Sequence, residues 1–213
     1  GCGFIGSHLS RKLSENNKVV VIDNQLHGNK LKKYKNIKII KGDICDLNLL
    51  YKITKNIDVI FHLAAYLGVD FVSKNNVKTM DVEYEGTKNV CKAAIVNGIK
   101  KIIYTSSSGV YGKLNYQRDV KENDVVAPYS AYAMAKRNSE IYFKYFSREN
   151  KVSCLIVRLF NVYGEGQDSR MVIPRFYNQA IKNKDITIYG NGRQTRDFTY
   201  IDDCMSSIIN ISK

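Results

Sequence analysis

The sequence predicts an α/β chain built on a doubly wound parallel sheet. Two observations carry this. Short β-branched runs alternate with stretches of helical periodicity, the pattern of βαβ units covered on both faces. The polar clusters fall at the ends of those runs or in the helix that follows, where ligands bind in open parallel sheets.

Taken in order, "GCGFIGSHLSRKL" places glycines at Gly1, Gly3 and Gly6 ahead of an amphipathic stretch, Phe4–Glu15. Strand-like runs follow at Lys18–Asp23, Ile37–Asp43, Ile57–Ala65, Lys101–Ser108 and Val152–Val162. Helical periodicity separates them at Asp46–Lys55, Val77–Asn97 and Ser130–Asn150. After Val162 the texture changes. "GEGQDS" reads as a loop, "MVIPRFYNQAIKNK" as a helix, and "ITIYGNGRQTRDFTYIDD" as a short strand mixed with turns. We expect a dinucleotide-binding domain over residues 1–165 and the beginning of a smaller substrate-binding lobe over 166–213.

The composition narrows the classes. The chain has 213 residues, 44% of them hydrophobic and 25% charged, as in a folded globular protein. No apolar run reaches the roughly 20 residues of a membrane span. The net charge of +13 is spread along the chain without a basic block, which argues against a nucleic-acid partner. The five cysteines show no C-x-x-C spacing and read as reduced thiols of a cytoplasmic protein. His8, His27 and His62 stand at no metal-ligand spacing, so no metal is expected.

The glycine turn suits a pyrophosphate, since glycine lets backbone approach closely and the helix start supplies amide donors. Spacing alone is weak evidence. It needs an acid about 20 positions on, closing the next strand, and Asp23 stands there in "VVVID". Its carboxylate could accept both ribose hydroxyls and would repel a 2′-phosphate, which favours NAD over NADP. Asp43 in "KGDI" could reach the adenine, although a plain loop aspartate fits its place as well.

A tyrosine with a lysine four residues later puts both on one helical face. The ammonium then stabilises the phenolate, making a base usable near neutral pH. The pattern occurs four times, at Tyr34/Lys38, Tyr51/Lys55, Tyr84/Lys88 and Tyr132/Lys136. Position decides among them. Only Tyr132/Lys136 starts a helix that follows a hydroxyl-rich strand end, "YTSSSGVYG", in which Ser107 can hydrogen-bond a substrate oxygen.

Together "GCGFIGSHL", "VVVIDN", "KGDI", "FHLAA", "YTSSSGVYG", "YSAYAMAK", "RLFNVYG" and "QTRDFTYIDD" resemble the extended short-chain dehydrogenase/reductase family. The match is to its NAD-dependent nucleotide-sugar epimerase/dehydratase branch and covers essentially the whole chain. It implies a Rossmann-type fold. Gly1, Gly3, Phe4, Ile5 and Gly6 would cradle the pyrophosphate. Asp23 and Asn24 would hold the ribose, Asp43 and Ile44 would flank the adenine, and Ala64 and Ala65 would line the cofactor. Ser107, Tyr132 and Lys136 match the catalytic triad, with Tyr132 and Lys136 also contacting cofactor. Ser107, Ser108, Asn161 and Arg196 would face the substrate, Arg196 gripping its diphosphate.

Three departures stand out. Dehydratases of the branch follow this serine or threonine with an acid at the next position or the one after; here Ser108 and Gly109 follow Ser107. The family's "N-V-x-G-T" reads "EYEGT" in this chain, with Glu83 in the place of asparagine and no role assigned to it. The family's first glycine and first strand would precede Gly1, and most of the substrate lobe would follow Lys213. We therefore expect the chain to be a piece of a longer enzyme, unstable and inactive alone. The expected reaction is C4 epimerisation of a nucleotide-diphosphate sugar by a cytoplasmic homodimer. A dehydratase, decarboxylase or keto-sugar reductase of the same family, or an NAD- or RNA-binding regulator, are the alternatives.

Overall fold

The computed structural model describes residues 1–31, 34–66, 75–113 and 119–213. Helix α1 (Phe4–Ser14) opens the chain. Strands β1 (Val19–Asp23) and β2 (Ile37–Lys41) then pair in parallel, from Val19 opposite Ile37 to Asp23 opposite Lys41. After α2 (Leu47–Ile53) comes a second parallel sheet, ordered β3 (Val59–His62), β4 (Lys101–Ser107), β5 (Ser153–Leu159). Its crossovers carry the two long helices α3 (Asn76–Val96) and α4 (Ala131–Asn150).

Each element from α1 to α4 lies within three residues of its expected bounds. Val152–Val162 divides at Phe160 into β5 and a short β6 (Asn161–Tyr163), which pairs with β7 (Phe198–Tyr200). The short strand expected among the turns of residues 186–203 is β7. Helix α5 (Val172–Ala180) appears where the periodicity put it and buries no residue.

Among the described residues no ladder joins β1 to β3. The burial follows from this. Five consecutive residues of the central strand β4, Ile102 to Ser106, are buried, whereas β1 and β3 bury one residue each. Parallel strands covered on both faces should be buried along their length, and only β4 is.

Helix α6 (Ile201–Ile211) went unforeseen in the sequence. Its signals were Asp202 and Asp203 in the first turn and Ile201, Cys204, Met205 and Ile208 at helical spacing. These four side chains share a core with Leu9 of α1, Ile103 of β4 and Val162 of β6. Lys12 of α1 donates to Ser206 Oγ at 2.7 Å. Helix α6 thus packs back onto the sheet.

The other face of the larger sheet packs α3 and α4 against Ile102 and Tyr104, with Val90, Ala94 and Phe143 between. His62, 3% exposed, sits in this layer with its ring 5.4 Å from Tyr104 and 6.2 Å from Phe143. Burial lowers its pKa from 6.5 to about 4. The unfolded chain therefore binds more protons between those values, so stability falls as pH drops from 6.5 to about 4. The full effect is on the order of 3 kcal/mol. Urea denaturation across this window should show the fall, and His62→Asn should flatten it; an equal slope in the variant would refute the assignment.

Gly112 closes the turn after β4 at φ +74°, and a Cβ there would lie 2.0 Å from the Ala127 carbonyl oxygen. Backbone cannot yield as a side-chain tip can. Gly112→Ala should cost about 2 kcal/mol or more, read as a lowered denaturation midpoint with unchanged m-value.

Candidate active site

The sequence-predicted residues gather at the carboxyl ends of the parallel strands. Asp23 ends β1, Asp43 lies just beyond β2, and Ala64 and Ala65 lie just beyond β3. Ser107 ends β4, opposite Leu159 of β5, and Asn161 begins β6 just beyond.

At the first of these ends the glycine turn meets Asp23. Gly3 is the N-cap of α1 and has open space where a Cβ would be. No side chain caps the helix and no acid stands in its first turn, so its orphan amides are free for an anion. Gly6 is held to glycine for a different reason: a Cβ there would lie 2.3 Å from the Gly1 carbonyl oxygen. The Asp23 carboxylate is already engaged. Oδ2 accepts from Cys2 N–H at 2.7 Å, and Oδ1 accepts from Gln25 N–H at 2.7 Å. It fastens the turn to the strand end. A carboxylate has about four acceptor directions, so accepting from ribose hydroxyls remains open to it.

Asn24 and Asp43 also meet, Asn24 Nδ2 donating to Asp43 Oδ2 at 3.3 Å. Ile44 is buried against Gly86 of α3, where a Cβ would lie 2.1 Å from its Cδ1. An uncapped helix start with a glycine cradle, followed by an Asp, an Asn and a second Asp along one edge, fits a dinucleotide.

The second cluster forms where α4 begins. Ser130 caps it, accepting from Ala133 N–H at 3.2 Å. Tyr132 lies in the first turn and Lys136 one turn on. The Lys136 ammonium lies 5.8 Å from the centre of the Tyr132 ring. Gly109 stands between Ser107 and α4: a Cβ there would be 3.4 Å from Ser107 Oγ and 3.5 Å from Ala133 Cβ. Ser107 Oγ accepts from Gly109 N–H at 3.1 Å. Tyr132 is half-buried while Lys136 is buried, so the tyrosine faces the opening and the lysine stands behind it. Of the other Tyr/Lys pairs, Tyr84 is 49% exposed with Lys88 over its ring at 4.9 Å, a surface pair.

The residue that sequence reasoning left without a role is Glu83. Its Oε1 accepts from Lys136 Nζ at 2.9 Å and from Tyr104 Oη at 2.5 Å. Lys136 also donates to the Thr105 carbonyl at 3.1 Å and lies 4.7 Å from the Tyr104 ring centre. Both charged side chains are 2% exposed. Burial opposes the charge on Lys136, but the Glu83 carboxylate more than offsets this and holds the ammonium above the usual lysine range. Burial pushes the Tyr104 hydroxyl upward, keeping it a donor. A signal was available: Glu83 shares the buried stripe of α3 with Thr79, Thr87, Val90 and Ala94, and a charge on such a stripe requires a buried partner.

On the substrate side, Asn161 Nδ2 donates to the Asp197 carbonyl at 3.0 Å. The β6–β7 pairing therefore brings "RLFN" beside "TRDF". Arg196 is exposed, its guanidinium donating to the Thr195 carbonyl at 2.7 Å. Ser108 begins the short 3₁₀ turn after β4.

Known proteins share this layout. A Methanocaldococcus jannaschii protein provisionally named a UDP-glucose 4-epimerase is 39% identical over 209 residues, 95% of this chain and 68% of that protein. A UDP-N-acetyl-alpha-D-glucosaminuronate decarboxylase of Bacillus cytotoxicus is 34% identical over 220 residues, covering 98% of this chain and 68% of its own. The solved structure of UDP-N-acetylglucosamine 4-epimerase from Methanobrevibacter ruminantium, in complex with UDP-N-acetylmuramic acid, superposes with a TM-score of 0.92 at 35% identity. That superposition covers 98% of this chain and 69% of that one. Residues 1–212 match the NAD dependent epimerase/dehydratase family. On that match and these relatives, the chain belongs to the NAD-dependent epimerase/dehydratase family.

Proposed function

We propose that the protein epimerises a nucleotide-diphosphate sugar at C4 through a transient keto-sugar. The observation that carries this is a Ser107, Tyr132 and Lys136 set with no acid beside Ser107. Gly1, Gly3, Phe4, Ile5 and Gly6 would hold the pyrophosphate of NAD, Asp23 and Asn24 its ribose, Asp43 and Ile44 its adenine. Ala64 and Ala65 would lie along it. NAD⁺, when bound, supplies a reversible acceptor for hydride. Asn161, Ser108 and Arg196 would hold the sugar diphosphate, the guanidinium gripping phosphate oxygens.

The chain's own chemistry is proton transfer. Tyr132, as phenolate, takes the proton of the C4 hydroxyl while the C4–H bond is broken. Ser107 donates a hydrogen bond to the same oxygen as it becomes a carbonyl. Lys136, behind the tyrosine, supplies the positive charge that stabilises the phenolate. When hydride returns to the opposite face of C4, Tyr132 returns the proton to the oxygen. An elimination would need a further acid–base group near the sugar, and the Ser107-Ser108-Gly109 run offers none.

The decarboxylase among the relatives favours one second reading, oxidation at C4 followed by loss of a carboxylate. Product analysis separates the two: an epimerase interconverts C4 isomers, whereas a decarboxylase releases carbon dioxide.

Face-to-face pairing of α3 and α4 in two copies would make the homodimer. Tyr84, Ile95, Ile141 and Tyr145 are between 41% and 54% exposed on these helices, and they form one apolar surface of the kind homodimers bury. Tyr145→Glu in the intact protein should yield a monomer by light scattering; an unchanged mass would exclude this face. For the chemistry, Tyr132→Phe should lower kcat at least about 100-fold, with KM changing little. Turnover within a few-fold of wild type would remove Tyr132 from the mechanism.

A further inference from the structure

The role of Tyr132 rests on the proposal above, and Glu83 adds a term to it. We propose that Glu83 is a positioning residue that sets the pH range in which Tyr132 can take a proton. Its carboxylate fixes Lys136 and offsets part of the ammonium charge that the phenolate feels.

The geometry is one continuous contact chain. Glu83 Oε1 lies 2.9 Å from Lys136 Nζ, and Lys136 Nζ lies 5.8 Å from the Tyr132 ring centre. The carboxylate oxygen is therefore within about 9 Å of that centre, close enough in a protein interior for a unit charge to move a proton equilibrium by about one pH unit. The pair is also rigid. Tyr104 donates to the same oxygen, and Lys136 is anchored a second time on the Thr105 carbonyl. Neither charged side chain is more than 2% exposed, so water screens little of this.

Other ionisable groups around the pair do not replace it. From β4 comes the Tyr104 hydroxyl, a neutral donor. From β3 comes the His62 ring, which burial keeps neutral above about pH 4. From α4 come Lys136 and Tyr132 themselves. On α3 the neighbouring charges Asp81 and Glu85 are exposed and Lys88 pairs with Glu85 at 3.1 Å, away from this layer. Glu83 is thus the negative charge in contact with Lys136. With Asn or Gln in its place, whose amide oxygen can accept from Lys136 as the Thr105 carbonyl does, the ammonium keeps two acceptors and acts on Tyr132 without the opposing carboxylate. The site would then hold its base ionised at lower pH.

The test uses the intact protein with Glu83→Asn, Glu83→Gln and Glu83→Asp, each alone and combined with Tyr132→Phe. The ultraviolet absorbance of phenolate is titrated without nucleotide, and the difference between paired variants isolates Tyr132. The acid limb of the kcat/KM profile is measured in parallel. Asn and Gln should move both readouts to lower pH by about one unit, and Asp should leave both within about 0.3 unit of wild type. Readouts that stay in place or move upward in Asn and Gln would overturn the proposal. So would failure of both neutral variants to fold when Asp folds, since Glu83 would then serve folding alone. Full turnover in Tyr132→Phe would instead remove the base on which the proposal stands, a separate outcome.

Discussion

A lysine ammonium with 2% of its side chain exposed needs compensating partners, and in this protein Glu83 supplies the opposing charge. That one pair joins three elements. Lys136 stands on α4, Glu83 on α3, and Tyr104 and Thr105, which complete their hydrogen bonds, on β4. β4 is the strand buried along most of its length, and α3 and α4 pack over it. Removing one partner would leave the other charged and unpaired in the core, which typically costs about 3–5 kcal/mol. The base is therefore held by the best-packed part of the molecule, while the residues it would serve, Asn161 and Arg196, lie on exposed backbone beyond it.

The same division explains the order of the strand ends. Parallel strands aim their carboxyl ends at one edge, so residues far apart in sequence share it without any long-range contact of their own. Asp23 and Ser107 are 84 positions apart by number, and their strands are not in one ladder, yet both end there. α1 bridges the two sheets. Its Leu9 enters the core beneath β4, while its N-terminal turn is tied to β1 through the Asp23 carboxylate.

Much of this was legible. The alternation of β-branched runs and amphipathic stretches located β1 to β5 and α1 to α4 because each has a local signal: period, length and a cap such as Asp46 or Ser130. The Tyr/Lys pattern by itself was not legible, since four pairs share it; the hydroxyl-bearing strand end before Tyr132 set that pair apart. The short strand expected within residues 186–203 falls at Phe198–Tyr200, where β6 is there to pair with it, since β propensity has little force without a partner. Helix α6 was missed although its pattern is plain, because the turn-rich stretch before it set the expectation. The function of Asp23 was half seen. Its place predicted a ribose contact, but its grip on the glycine turn depends on a fold that brings Cys2 beside it.

Glu83 bears on which reaction the site can perform. Elimination or decarboxylation would be helped by a carboxyl group able to exchange protons with the sugar, and Ser107 has no such neighbour in sequence. Glu83 does not substitute for it. Its Oε1 accepts from both an ammonium and a phenol, it is 2% exposed, and its partner Lys136 lies behind Tyr132 rather than before it. A carboxylate so engaged is committed to Lys136 and Tyr104. On the proposed mechanism Glu83 would act on Tyr132 and not on the sugar, and Tyr132 and Ser107 would be the groups beside the reacting oxygen, which suits reversible oxidation of an alcohol.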